Sequence, residues 1–147
     1  MGGVRTPLTF INSGTDVNAR ARDVVVTSKF YRSGFCDIDA QAVDGLTVNA
    51  TSNFCGMSTT DVNNSCVSLG ANAINWRVTN SKFGRNTKVR YIVQPTATSR
   101  NGICDNNIFE ALNTAVTNPA CIFNSGANNL KLGTNQVNTT GKPLIHP

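Results

Sequence analysis

A repeat constrains this chain more than any other feature, because a sequence that recurs at a fixed period folds as stacked copies of one unit. Five segments share one form: alternating apolar residues, a short polar stretch, then an aromatic or apolar residue. They are Val24–Phe30, Val48–Phe54, Trp76–Phe83, Gly102–Phe109 and Leu130–Val137. The last inward positions before each polar turn are Val26, Ala50, Val78, Cys104 and Leu132, at steps of 24, 28, 26 and 28 residues. A second series, Phe10, Cys36, Cys66, Tyr91 and Cys121, falls between them at steps of 26, 30, 25 and 30. Two interleaved series with one shared period give each repeat at least two strands, which is a solenoid coil.

The period and the patterning select among solenoids. Helical repeats need apolar residues at 3.6-residue spacing, and that spacing is absent; the best helical stretch, Asn107–Thr117, is short and runs into Asn118-Pro119. The reading is therefore all-β: a right-handed parallel β-helix of about five to six coils, each strand about 4.8 Å from its counterpart in the next coil. The chain forms one domain over 1–147, with 1–22 and 138–147 expected as irregular capping or interface segments. Val24/Val26, Val48/Ala50, Trp76/Val78 and Leu130/Leu132 point inward, and Thr47, Arg77 and Lys131 outward. Phe30, Phe54, Phe83 and Phe109 turn the corner into the core, with Asn53, Asn107 and Asn135 at the bend. Cys36, Cys66 and Cys121 take matching places in the second strand, where buried thiols act as small hydrophobes.

Composition excludes several classes. Hydrophobic residues make up 39% and charged residues only 14%, which is not the charge-rich profile of a disordered chain. Net charge is +5, but the thirteen Lys and Arg are scattered, so a nucleic-acid partner is not expected. The densest basic stretch, Arg85, Lys88 and Arg90, supplies the ligand-binding candidates for an anionic glycan. Five cysteines without a CxxC pair and the single His146 give no recognisable metal motif, so neither a metal nor another cofactor is expected. No apolar run approaches eighteen residues, and no signal-peptide core is visible near the N-terminus. A reducing cytoplasm follows as the simplest expected setting.

Three phrases, Asp23–Phe30, Asn101–Phe109 and Ser125–Asn135, resemble the pectate-lyase-like β-helix of bacteriophage tailspikes, a likeness that spans residues 23–137. The resemblance implies a virion protein, a homotrimer contacting other virion proteins, that binds and often cleaves bacterial surface polysaccharide. This chain is shorter than an enzymatic tailspike and holds eight carboxylates. Cleavage of a glycosidic bond usually takes two flanking carboxyl groups. Asp37 and Asp39, at i and i+2 on one strand face about 6.5–7 Å apart, are the pair to consider. The expectation is a non-enzymatic structural or receptor-binding appendage, with a polysaccharide depolymerase, hydrolase or lyase, as the alternative. A second alternative comes from Asn80–Ala97, which resembles a strand-turn-strand of the coat proteins of single-stranded RNA phages. That family closes with two amphipathic helices, and Pro119, Gly126 and Gly133 interrupt the region that would supply them.

Overall fold

The computed structural model describes residues 8–10, 19–57, 65–85, 89–110, 120–123, 129–138 and 144–146, and among them strands and no helix. The strands are β1 (Leu8–Phe10), β2 (Ala21–Tyr31), β3 (Ile38–Asn53), β4 (Ser65–Ile74), β5 (Arg77–Thr79), β6 (Lys82–Gly84) and β7 (Tyr91–Pro95). They continue as β8 (Ile103–Asp105), β9 (Ile108–Phe109), β10 (Ala120–Phe123), β11 (Lys131–Leu132), β12 (Gln136–Val137) and β13 (Ile145–His146). Every pairing among them is parallel. The chain is a parallel β-helix, and the right hand is the one that the twist of its strands favours.

Three ladders run along the stack. One is centred on Val26, Val48, Val78, Cys104 and Leu132. A second stacks Phe30, Ser52, Phe83, Phe109 and Val137. The third stacks Leu8, Ile38, Val67, Val93, Ile122 and Ile145. Val48, Val78, Cys104, Ile38 and Ile122 are wholly buried, so the ladders meet in one core. The rings of Phe83 and Phe109 stack at 5.7 Å between centroids, their planes 17° apart. A pair of that geometry adds about 0.5–1.5 kcal/mol beyond the area it buries.

The coils turn on residues in the left-handed backbone region. Asp23, Gly45, Asn75, Asn101 and Asn129 have φ of 52°, 83°, 55°, 55° and 60°. Each lies two positions before a member of the paired column Val25, Thr47, Arg77, Ile103 and Lys131, so together they make one corner of the helix. Asn80 and Asn106 make a second corner, and Arg32, Phe54 and Arg85 a third. Asn and Gly suit such angles because a short amide or a missing Cβ relieves the clash that left-handed backbone causes. At the first corner the amides bond from coil to coil. Asn129 Nδ2 donates to Asn101 Oδ1 at 3.1 Å, and Asn101 Nδ2 to Asn75 Oδ1 at 3.0 Å. Asn75 Nδ2 then donates to Asp44 Oδ1 at 2.7 Å.

Inside the second corner a buried polar ladder closes the turn. Ser81 N–H donates to Asn107 Oδ1 at 3.0 Å, and Asn107 N–H to Asn135 Oδ1 at 3.1 Å. Ala50 N–H donates to Ser81 Oγ at 3.0 Å. The expected ladder of Asn53, Asn107 and Asn135 is thus right for its last two members. Ser81 holds the place before them, and Asn53 pairs with Gly84 instead.

Other expectations need correction. Ala50 and Phe54 were aligned two residues too late in their coil: Val48 stands opposite Val78, and Ser52 opposite Phe83. In the third ladder Tyr91 faces Ser65 and Ala120, one residue before Cys66 and Cys121, and Cys36 lies outside the paired strands. No column of stacked cysteines forms from those positions; the side chain of Cys121 lies outside the described residues. The end segments expected to be irregular each carry a strand, β1 pairing with β3 and β13 with β10. The two strands within Asn80–Ala97 do not pair with each other: β6 pairs with β3 and β9, and β7 with β4 and β10.

Candidate functional site

Outward positions of the first two ladders form two columns of mixed chemistry. The first is Val25, Thr47, Arg77, Ile103 and Lys131; the second is Lys29, Thr51, Lys82, Ile108 and Gln136. The turn at the first corner raises its asparagines beside the first column. Asn75, Asn101 and Asn129, together with Arg77, Ile103 and Lys131, line a surface groove of about 660 Å³. Its floor includes Gly102, and a flat floor is forced there. A Cβ on Gly102 would lie 2.0 Å from Trp76 Cζ2, because the buried indole of Trp76 fills that space from the coil beneath.

The groove has ordered polarity. Arg77 and Lys131 are exposed and stand two strands apart, about 10 Å, with half-buried Ile103 between them. Each corner amide of Asn101 and Asn129 uses one donor on the coil before it, and among the described residues its second donor has no other partner. Two cations flank an apolar patch, and a row of amide donors and acceptors runs alongside. Such a surface suits a linear ligand rich in hydroxyls and carrying negative charge at intervals. A second groove of about 560 Å³ crosses the next corner near Lys82, Ile108 and Gln136. There Lys82 pairs with Glu110 at 3.3 Å, which leaves less net charge for a ligand.

Residues singled out by sequence are placed differently. Arg85 is exposed at the third corner, its guanidinium 5.9 Å from the centre of the Phe54 ring. Arg90 is half-buried ahead of β7, its guanidinium 5.1 Å from the Tyr91 ring. Lys88 lies outside the described residues. Arg85 follows β6 and Arg90 precedes β7, strands of different ladders, so the two do not share one strand face. Arg77 and Lys131 were legible as outward positions, but the asparagine corner that turns them into a groove was not.

The two aspartates also part company. Asp39 is half-buried and accepts a hydrogen bond from Gln41 Nε2. Asp37 is 1% exposed: the chain bends before β3 begins, and the carboxyl turns into the core. Its two oxygens accept from the hydroxyls of Ser33 and Ser52, and its N–H donates to the Cys66 carbonyl at 2.9 Å. Burial pushes the Asp37 carboxyl up from the ordinary carboxylate range, and the hydrogen bonds from Ser33, Ser52 and Cys55 offset part of that rise. The expected shared outward face of Asp37 and Asp39 is therefore absent. A carboxyl enclosed in this way does not flank a polysaccharide bond on the surface.

Comparison with protein families, with curated proteins and with solved structures finds no match to this chain.

Proposed function

We propose that this chain is a bacteriophage virion appendage of tailspike or fibre type, which binds a bacterial surface polysaccharide along the groove over β5, β8 and β11. In this reading it works as a homotrimer among other virion proteins, and it binds rather than cleaves. The observation that carries the reading is the column Arg77, Ile103 and Lys131 beside the corner amides of Asn75, Asn101 and Asn129. A parallel β-helix repeats its outward chemistry at each strand spacing, which suits a polymeric ligand that repeats as well. The tailspike resemblance of residues 23–137 points to the same partner. The described residues lining the groove carry cations and amides and no carboxylate, which favours recognition over acid–base cleavage.

The test is affinity electrophoresis of the purified chain through gels that contain acidic or neutral bacterial polysaccharides. An acidic polymer should retard the protein, less so at high salt, because exposed ion contacts are screened. Changing Arg77 and Lys131 together to Ala should weaken retardation about fivefold, as expected for two surface ion contacts. Arg85→Ala should leave it unchanged. Equal retardation of the unaltered and doubly altered chains would defeat the proposal, and so would release of oligosaccharides from the gel polymer.

A further inference from the structure

The second ladder carries an anomaly. Phe30, Phe83 and Phe109 stand on its inward face, but the rung between Phe30 and Phe83 is Ser52. The small side chain at Ser52 makes room inside the solenoid, and polar groups fill it. Asp37, Cys55 and Cys66 come from three separate segments and are 1%, 0% and 0% exposed. One carboxylate oxygen and the two sulfurs lie within 4.8 Å of one another. Hydroxyls of Ser33 and Ser52 fix the carboxylate, and the Sγ of Cys55 sits 3.4 Å from the Ser65 carbonyl oxygen. A buried carboxyl persists only where polar partners compensate its lost water, and here hydroxyls and thiols surround it.

We infer that Asp37, Cys55 and Cys66 form a buried binding site for a thiophilic divalent cation of the zinc type. The geometry is close to what such an ion needs. Tetrahedral zinc holds sulfur at about 2.3 Å and oxygen at about 2.0–2.2 Å, which places its donors about 3.6–3.8 Å apart. Donors already within 4.8 Å reach that spacing by shifts of well under about 1 Å each. Two sulfurs and one carboxylate oxygen are the donor types that select zinc over magnesium or calcium. Cys36, one residue before Asp37, is buried too.

Binding of the dication displaces the two thiol protons to bulk solvent, leaving two thiolates and a carboxylate around a charge of +2. The ion ties the bend before β3 to β4 and to the segment after β3, and so locks two coils together.

The test is a titration of the reduced, metal-stripped full chain with cobalt(II), followed by zinc. The expected result is a thiolate-to-cobalt charge-transfer band that saturates near one ion per chain and disappears when zinc is added. Cys55→Ser and Cys66→Ser should each abolish the band, whereas Cys104→Ser should keep it, since Cys104 lies in the first ladder. Zinc should also slow the reaction of two thiols with a maleimide by at least about tenfold, a readout that needs no variant. A flat cobalt titration would overturn the proposal, and so would zinc uptake that leaves thiol labelling unchanged.

Discussion

The indole of Trp76 occupies the space that a side chain at Gly102 would need, with Trp76 Cζ2 2.0 Å from the position of the missing Cβ. These residues hold consecutive rungs just inside the first corner. Trp76 is 1% exposed, so its ring has no room to retreat. Gly102→Ala should therefore cost about 1–3 kcal/mol, the range for overpacking a filled core. Urea unfolding midpoints read the effect directly. Adding Trp76→Leu to Gly102→Ala should recover part of the loss, because it empties the space that the new methyl enters.

Asn107 and Asn101 look alike in sequence and differ in place. Asn107 is 1% exposed; its Oδ1 accepts from the Ser81 N–H, and its Nδ2 donates to the Val78 carbonyl at 2.8 Å. Asn107→Ala leaves the Ser81 N–H buried and unpaired, and should cost about 1–3 kcal/mol. Asn101 is exposed at a left-handed corner. There Asn101→Gly should change stability by less than about 1 kcal/mol, and Asn101→Val should cost about 1–3 kcal/mol in backbone strain. Denaturation of the three variants should show Asn101→Gly as the least costly; an Asn107→Ala chain as stable as Asn101→Gly would contradict the interior ladder.

How much of this was readable before the structure depends on parity. Val26, Val78, Cys104 and Leu132 were aligned correctly, because strong alternation marks their faces. Ala50 for Val48 and Phe54 for Ser52 are one error: a slip of two residues in a single coil, which keeps Ala50 inward but carries Phe54 past the ladder to the third corner, where it is half-buried. Alternation has period two, so it cannot detect such a slip. In the third ladder the bend at Asp37 broke the alternation instead, and an aspartate expected at the surface went inside. Its partners Ser33, Ser52, Cys55 and Cys66 come from segments whose relative register the repeat left open. The groove depended in the same way on the corner asparagines, whose amides align only once the coils are stacked.

Asp37 also gives a pH dependence. Its folded-state pKa is raised above 3.8, so the folded protein holds the proton more tightly than the unfolded chain does. The stabilising contribution is complete below about pH 4 and is lost as pH rises through the folded-state value. Asp37→Asn removes this titration while keeping the shape. In the presence of a chelator, Asp37→Asn should thus gain stability relative to the unaltered chain as pH rises from 4 to 8. Paired urea midpoints across that range check it, and a gap that narrows with rising pH would contradict the buried carboxyl.

The measurement closest to the central claim is methyl NMR of the isoleucines during addition of an acidic oligosaccharide prepared from a polymer that retards the protein. Ile103 lies at the middle of the groove between Arg77 and Lys131, whereas Ile38, Ile92 and Ile122 are wholly buried. The Ile103 methyl signals should shift progressively and saturate, while those of Ile38, Ile92 and Ile122 stay in place. Saturable shifts that leave Ile103 unmoved would show that the ligand sits elsewhere, and would contradict the groove over β5, β8 and β11 as its binding face.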